Sequence, residues 1–234
     1  MTDLTGKRVL VTGATGALGS RIASGLAAND AVVVVSGRTD AKLTSLDVSA
    51  TTERYAVDLA IPGAAAALIE AVAADGQIDG LVIAHGVVAF GAVDELTADA
   101  AETLERLNYA SPQALIRAAQ PALKASAEAG NEPFVLTISG IISEMPTTGM
   151  AAYGASKAGL LGFVKAAQRE LRRSKIRLLD ARPPHTETGL AARAISGVAP
   201  SMPAGLDPDV VAARIVEAIV TDETDVPPTA FADA

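Results

Sequence analysis

The sequence predicts an α/β fold: one doubly wound domain, with a parallel β-sheet flanked by helices on both faces. Three observations carry this. Strand-like and helix-like segments alternate along most of the 234 residues. The strand-like runs are mostly apolar, as suits strands covered on both faces. A glycine turn, Thr12-Gly13-Ala14-Thr15-Gly16-Ala17-Leu18-Gly19, stands between the first strand and the first helix.

The elements follow in order. Arg8-Val9-Leu10-Val11 is a short strand bounded by the glycine turn. Residues 17–28 form a helix. Residues 31–35 are strand-like and rich in β-branched valine. Tyr55-Ala56-Val57 is a third strand, 64–73 a helix, and Gly80-Leu81-Val82-Ile83-Ala84 a fourth strand. Residues 98–127 are a long helical stretch in which Pro112 and Pro121 predict breaks or kinks. Phe134-Val135-Leu136-Thr137-Ile138 is a fifth strand. Residues 151–173 form a helix with a basic end, Arg172, Arg173 and Lys175, which suits the negative end of the helix dipole. Residues 176–179 are a sixth strand. Residues 183–208 are rich in Pro, Gly and Ala and predict a long irregular excursion. With the loop at 140–150, it is expected to shape a substrate pocket. The acidic, proline-containing tail, 222–234, is either partly ordered or loose. No linker or internal repeat interrupts the chain, so a single domain over 1–234 is expected.

Composition narrows the function classes. Half of the residues are apolar, enough for a large core. Cysteine is absent, which excludes disulfides, a thiol nucleophile and zinc–thiolate sites. The only histidines are His85 and His185, so no metal site is expected. A net charge of −8 argues against a nucleic-acid partner. No run of about 18 apolar residues suggests a membrane helix. Asp3, Lys7 and Arg8 lead directly into a strand, unlike a signal peptide. A cytoplasmic protein is therefore expected.

Two motifs carry chemistry. Gly13, Gly16 and Gly19 let the chain turn sharply and let a phosphate approach the backbone. The helix that follows offers free N–H groups and its positive dipole end to a pyrophosphate. No Gly-Lys-Ser/Thr follows, which disfavours a P-loop. The second motif is Tyr153-Gly154-Ala155-Ser156-Lys157. Tyr153 and Lys157 are four apart and share one helix face. A nearby ammonium stabilises a phenolate and draws the tyrosine pKa toward the working pH. The carboxyl ends of the strands bring both motifs to one crevice.

The end of the second strand bears on the cofactor. NAD-binding βαβ units place Asp or Glu there to hold the ribose 2′-hydroxyl. Here the strand runs into Ser36-Gly37-Arg38-Thr39, and the first carboxylate is Asp40. Arg38 offers a fork of donors to a 2′-phosphate, with hydroxyls from Ser36 and Thr39. NADP(H) is expected over NAD(H).

At this point the chain resembles the short-chain dehydrogenase/reductase family over nearly its whole length. The landmarks are the glycine turn, Asp58, the strand ending Ile83-Ala84-His85-Gly86, Asn108, Ser139, the Tyr153/Lys157 pair and Pro183-Pro184. The resemblance implies a Rossmann domain and a hydride exchanged between a nicotinamide cofactor and a small-molecule carbonyl or alcohol. It implies Tyr153 as general acid or base and Lys157 as the residue that lowers its pKa and holds the ribose. It gives Ser139 the task of orienting the substrate oxygen, and Asn108 that of supporting a proton relay through water. Cofactor contacts are implied for Gly13, Thr15, Gly16, Ala17, Leu18, Gly19, Asp58, Leu59, Ala84, His85, Gly86, Pro183, Thr186 and Thr188, besides Tyr153 and Lys157. The helices at 98–127 and 151–173 resemble those by which family members pair across a two-fold axis, which implies a homodimer or homotetramer.

The chain departs from the family pattern in four places. The middle glycine of the turn comes one residue early. Ala84-His85-Gly86 replaces Asn-Ala-Gly, so His85 either fills the asparagine's structural role or caps a strand end. Pro184 replaces a glycine. The family serine falls thirteen residues before the tyrosine, where this chain has Gly140. Either the loop absorbs the shift and Ser139 serves, or Ser143 supplies the hydroxyl, or the role is absent. The glycine spacing leaves a dehydratase or epimerase as an alternative, and the other departures leave a non-catalytic NAD(P) sensor.

Overall fold

The computed structural model describes residues 1–48 and 51–232. Seven strands form one parallel sheet in the order β3-β2-β1-β4-β5-β6-β7. They are β1 (Arg8–Thr12), β2 (Val32–Gly37), β3 (Thr51–Ala56), β4 (Gly80–Ile83), β5 (Phe134–Ile138), β6 (Arg177–Ala181) and β7 (Asp225–Val226). The helices are α1 (Ala17–Ala28), α2 (Asp40–Thr44), α3 (Ala64–Asp75), α4 (Ala98–Glu105), α5 (Ser111–Glu128), α6 (Ala151–Leu171) and α7 (Pro208–Val220).

Two apolar clusters, one on each face, hold the sheet. Ile22 and Leu26 of α1 and Val211, Ile215 and Ile219 of α7 pack with Val9, Val11, Val33 and Val35. On the other face Leu68 and Val72 of α3, Leu115 and Leu123 of α5, and Leu160 and Val164 of α6 pack with Leu10, Leu81 and Val135. Alternate residues of the central strands thus point into different clusters, which explains their unbroken apolar runs. Strand order reverses between β1 and β4, and this opens a crevice at their carboxyl ends.

The structure differs from the expected elements in three places and settles the state of the tail. The third strand is Thr51–Ala56, not 55–57. It is an edge strand, and its Thr-Thr-Glu-Arg start hides it from an apolar reading. The sixth strand runs on to Ala181, because Asp180 is buried there with charged and hydroxyl partners. The long helical stretch is interrupted at neither proline. A π-helical turn, Arg106–Ala110, separates α4 from α5, and Pro112 sits at the start of α5, where no N–H is needed. The helix continues through Pro121, which lies on its exposed face. The tail is ordered over 222–232: it adds β7, and a short 3-10 turn, Pro228–Phe231, buries Phe231 in the core. The excursion at 183–208 is irregular, with a bridge between Thr186 and Leu206.

Candidate active site

The glycine turn lies at the carboxyl end of β1, pressed against the end of β4. Gly13 has a φ of +68°, and a side-chain carbon there would sit 2.6 Å from the His85 Cα. The backbones therefore meet at a distance only glycine allows. Gly16 begins α1, and no side chain caps that helix or adds negative charge to its first turn. The donors at residues 17–19 stay available to an anion. This arrangement fits a dinucleotide pyrophosphate. The expected contacts Thr15, Gly16, Ala17, Leu18 and Gly19 all belong to this turn.

His85 bridges the crevice. Its Nδ1 lies 2.9 Å from the Thr12 hydroxyl and its Nε2 3.2 Å from the Ser111 hydroxyl. Burial first, and Lys157 second, push its pKa down to about 3. A neutral imidazole, one nitrogen donating and the other accepting, thus ties β1 to the start of α5. Of the two roles open for His85, this geometry is the structural one: an inter-element tether. The partners, Thr12 and Ser111, were not singled out from sequence.

Asn108 sits in the π-helical turn and is fully buried. Its Oδ1 accepts from the Val87 N–H at 2.9 Å, and its Nδ2 donates to the Val87 carbonyl and the Ser156 hydroxyl. The side chain fixes the segment that follows β4. A carbon added at Gly86 would lie 3.0 Å from Asn108 Oδ1 and 3.5 Å from Lys157 Nζ, so these three residues converge.

Tyr153 and Lys157 lie in the first two turns of α6. Lys157 is 8% exposed, and its Nζ donates to the Ile138 carbonyl at 2.8 Å. Burial pulls its pKa down to about 8, against an upward pull from Asp180. Tyr153 is half-buried, and burial pushes its phenol up to about 12. The ammonium was expected to lower the phenol; here burial prevails and Lys157 has turned to the backbone.

Ser139 is fully buried and donates to Asp180 Oδ2 at 2.5 Å. Ser143, on the 3-10 turn Ile141–Ser143, is half-buried; its Oγ lies 2.6 Å from the Gly140 carbonyl and 3.2 Å from Ser139 Oγ. Asp180 and Arg182 escaped the sequence reading. The signal was there: an Asp-Ala-Arg triplet at the end of an apolar strand.

The remaining expected cofactor residues are spread around the crevice. Ser36, at the end of β2, is buried with its hydroxyl unpartnered. Arg38 and Thr39 are exposed and free of side-chain hydrogen bonds among the described residues. Asp58 is exposed and accepts from Ala60 N–H, while Leu59 is buried. Ala84 N–H donates to the Thr12 carbonyl. The Pro183 carbonyl accepts from Ile141 N–H, Thr186 donates to the Pro184 carbonyl, and Thr188 accepts from Leu190 N–H. Among the described residues no cluster could hold a metal ion, and no helix is long and apolar enough to cross a membrane.

The burial of Lys157 has a testable cost. Its pKa falls from 10.5 in the unfolded chain to about 8 in the folded one. Between these values the unfolded chain holds the extra proton, so stability rises with pH through that window, and the penalty is fully present below it. Lys157→Met removes the charge but leaves the Ile138 carbonyl without its donor. The variant is expected to be more stable than the parent below pH 8, by on the order of 1–2 kcal/mol. Urea unfolding at several pH values should show this advantage shrink as pH rises toward 10.5. An advantage independent of pH would contradict the assignment.

Comparison with known proteins identifies the family. The short chain dehydrogenase family model matches residues 7–198. The 3-oxoacyl-(acyl-carrier-protein) reductase of Salmonella typhimurium is 29% identical over 208 residues, covering 86% of this chain and 83% of that protein. A short-chain dehydrogenase from Sphingobium yanoikuyae, solved with NADPH, superimposes with a TM-score of 0.85 at 25% identity, covering 95% of this chain and 87% of that one. A metagenomic short-chain oxidoreductase solved with NADP gives 0.78 at 29% identity, covering 97% and 98%. The chain belongs to the short-chain dehydrogenase/reductase family and is an NAD(P)-dependent oxidoreductase.

Proposed function

We propose that the protein transfers a hydride between NADP(H) and a small organic carbonyl or its alcohol, with Tyr153 as the acid–base group. The observation that carries this is the convergence of the buried Lys157, Asn108 and Gly86, with Tyr153 one turn before Lys157 on α6 and the glycine turn packed against His85, the neighbour of Gly86. When bound, the nicotinamide supplies or accepts the hydride. In reduction Tyr153 gives its proton to the carbonyl oxygen, and Lys157, released from the Ile138 carbonyl, stabilises the phenolate left behind. The same ammonium is placed to hold ribose hydroxyls.

Three loops are hydrogen-bonded to one another. Ile195 N–H donates to the Val88 carbonyl, Phe90 N–H to the Ser196 carbonyl and Gly91 N–H to the Gly149 carbonyl, each at 2.9 Å. Val93, Met145, Ile195 and Val198, on these loops, are large exposed apolar side chains. They favour an apolar substrate, and the reductase relative makes a 3-oxoacyl thioester the first compound to try.

NADP(H) preference rests on the end of β2, where no carboxylate stands and Arg38 and Thr39 are exposed, with no side-chain hydrogen bond among the described residues. Ser36 is too deeply buried to add its hydroxyl without a shift. Solved relatives hold NADPH, NADP and, in one case, NADH. Assembly through α6 is favoured by its exposed face: Ala151, Ala155, Ala158, Gly162 and Ala166 follow helical spacing and permit close helix–helix approach.

Three outcomes test the proposal. Tyr153→Phe should bind NADPH normally yet lose roughly 10²–10⁴-fold in turnover of the thioester; near-normal turnover would refute the acid–base role. Fluorescence titration should show tighter NADPH than NADH binding, with the difference lost in Arg38→Ala; unchanged NADPH affinity in that variant would refute the 2′-phosphate contact. Light scattering should show a dimer or tetramer. Gly162 faces open space, so Gly162→Glu leaves the protomer intact and should shift the assembly toward monomer; a monomeric parent would refute assembly.

A further inference from the structure

We propose that the buried Asp180 carboxylate is a positioning residue of this active site: it accepts the Ser139 hydroxyl hydrogen bond, and so leaves Ser143 as the hydroxyl that meets the substrate oxygen. The proposal rests on the reading of the reaction given above.

Donor counting carries it. Asp180 is 1% exposed. It accepts from Thr137 Oγ1 at 2.6 Å, from Ser139 Oγ at 2.5 Å and from Arg182 Nη1 at 3.3 Å. A hydroxyl has one proton to give. That of Ser139 goes inward to the carboxylate, and the residue itself has no exposed surface. What remains to Ser139 is a lone pair, which faces Ser143 Oγ at 3.2 Å. Ser139 is thus not a donor to a substrate carbonyl; the single Ser143 proton goes either to it or to the nearer Gly140 carbonyl at 2.6 Å.

Position 140 cannot take over. Its φ is +75°, a backbone conformation that suits glycine and strains serine. Ser143 remains, one short turn further on. Its proton lies toward neutral acceptors only, and a C–O rotation frees it. Its turn abuts the start of α6: a side-chain carbon added at Gly154, next to Tyr153, would find Ile142 at 3.6 Å.

Asp180 has a second effect. Lys157 Nζ rests on the carbonyl of Ile138, the residue before Ser139, so the carboxylate supports the ammonium across one residue of β5. The other groups near Lys157 are the neutral His85 from the end of β4 and Asn108 from the π-helical turn. Asp180 itself faces Arg182, whose guanidinium also meets Glu144 at 3.0 Å and Asp225 at 2.8 Å. Among these, Asp180 is the group that pulls the Lys157 pKa upward.

Asp180→Asn keeps the shape and removes the charge. In protein carrying 13Cε-labelled lysine, the Lys157 resonance should titrate near 8 in the parent and measurably lower in Asp180→Asn. This measurement needs no substrate, and a purely architectural role would leave it unmoved. On acetoacetyl-N-acetylcysteamine with NADPH, Ser143→Ala should lose ~10²-fold or more in kcat with NADPH affinity kept. Ser139→Ala should lose less than about tenfold, as an orienting contact does. An unshifted Lys157 titration, or a Ser139→Ala loss equal to or above that of Ser143→Ala, overturns the proposal. The serine pair decides it even where Asp180→Asn does not fold. Where Tyr153→Phe keeps the parental rate, the reading of the reaction falls instead, and the Lys157 titration alone decides the role of Asp180.

Discussion

The arrangement turns on one ammonium held out of water. A lysine this deeply buried is costly unless its surroundings compensate. Here they do so from several elements at once. The Ile138 carbonyl takes a proton at the end of β5, Asn108 closes in from the π-helical turn, and Asp180 adds negative charge from β6. The two strand partners lie at the carboxyl ends of β5 and β6. Folding the sheet therefore also builds the site. The neutral His85, gripping Thr12 and Ser111, spares Lys157 a second positive charge and draws the glycine turn against β4.

Much of this was legible in the sequence because it follows from local patterns. β1, β4 and β5 lie near their expected places, since strands buried on both faces leave unbroken apolar runs. The Tyr153–Lys157 spacing places both residues on one helix face whatever the surroundings. The glycine turn announces its function through a steric need that no other residue meets at Gly13.

What stayed hidden depends on contacts distant in sequence. β3 opens with polar residues because it is an edge strand, and nothing local marks it as an edge. The break before α5 comes from a π-helical turn around Asn108, whereas the two prolines misdirect: one starts the helix and the other lies on its exposed face. Asp180 looks wrong for a buried strand until Thr137, Ser139 and Arg182 are seen around it. The same contacts change the meaning of Ser139, whose hydroxyl points inward.

The central claim is that Tyr153 and Lys157 work as a proton-transfer pair once cofactor is in place. The phenol is held at about 12 by burial while Lys157 rests on the backbone. Ultraviolet titration of Tyr153, taken as the difference between the parent and Tyr153→Phe, measures it directly with and without saturating NADP+. The account predicts that the cofactor moves phenolate formation down by several pH units, toward neutrality. A Tyr153 titration that NADP+ leaves unchanged would contradict it.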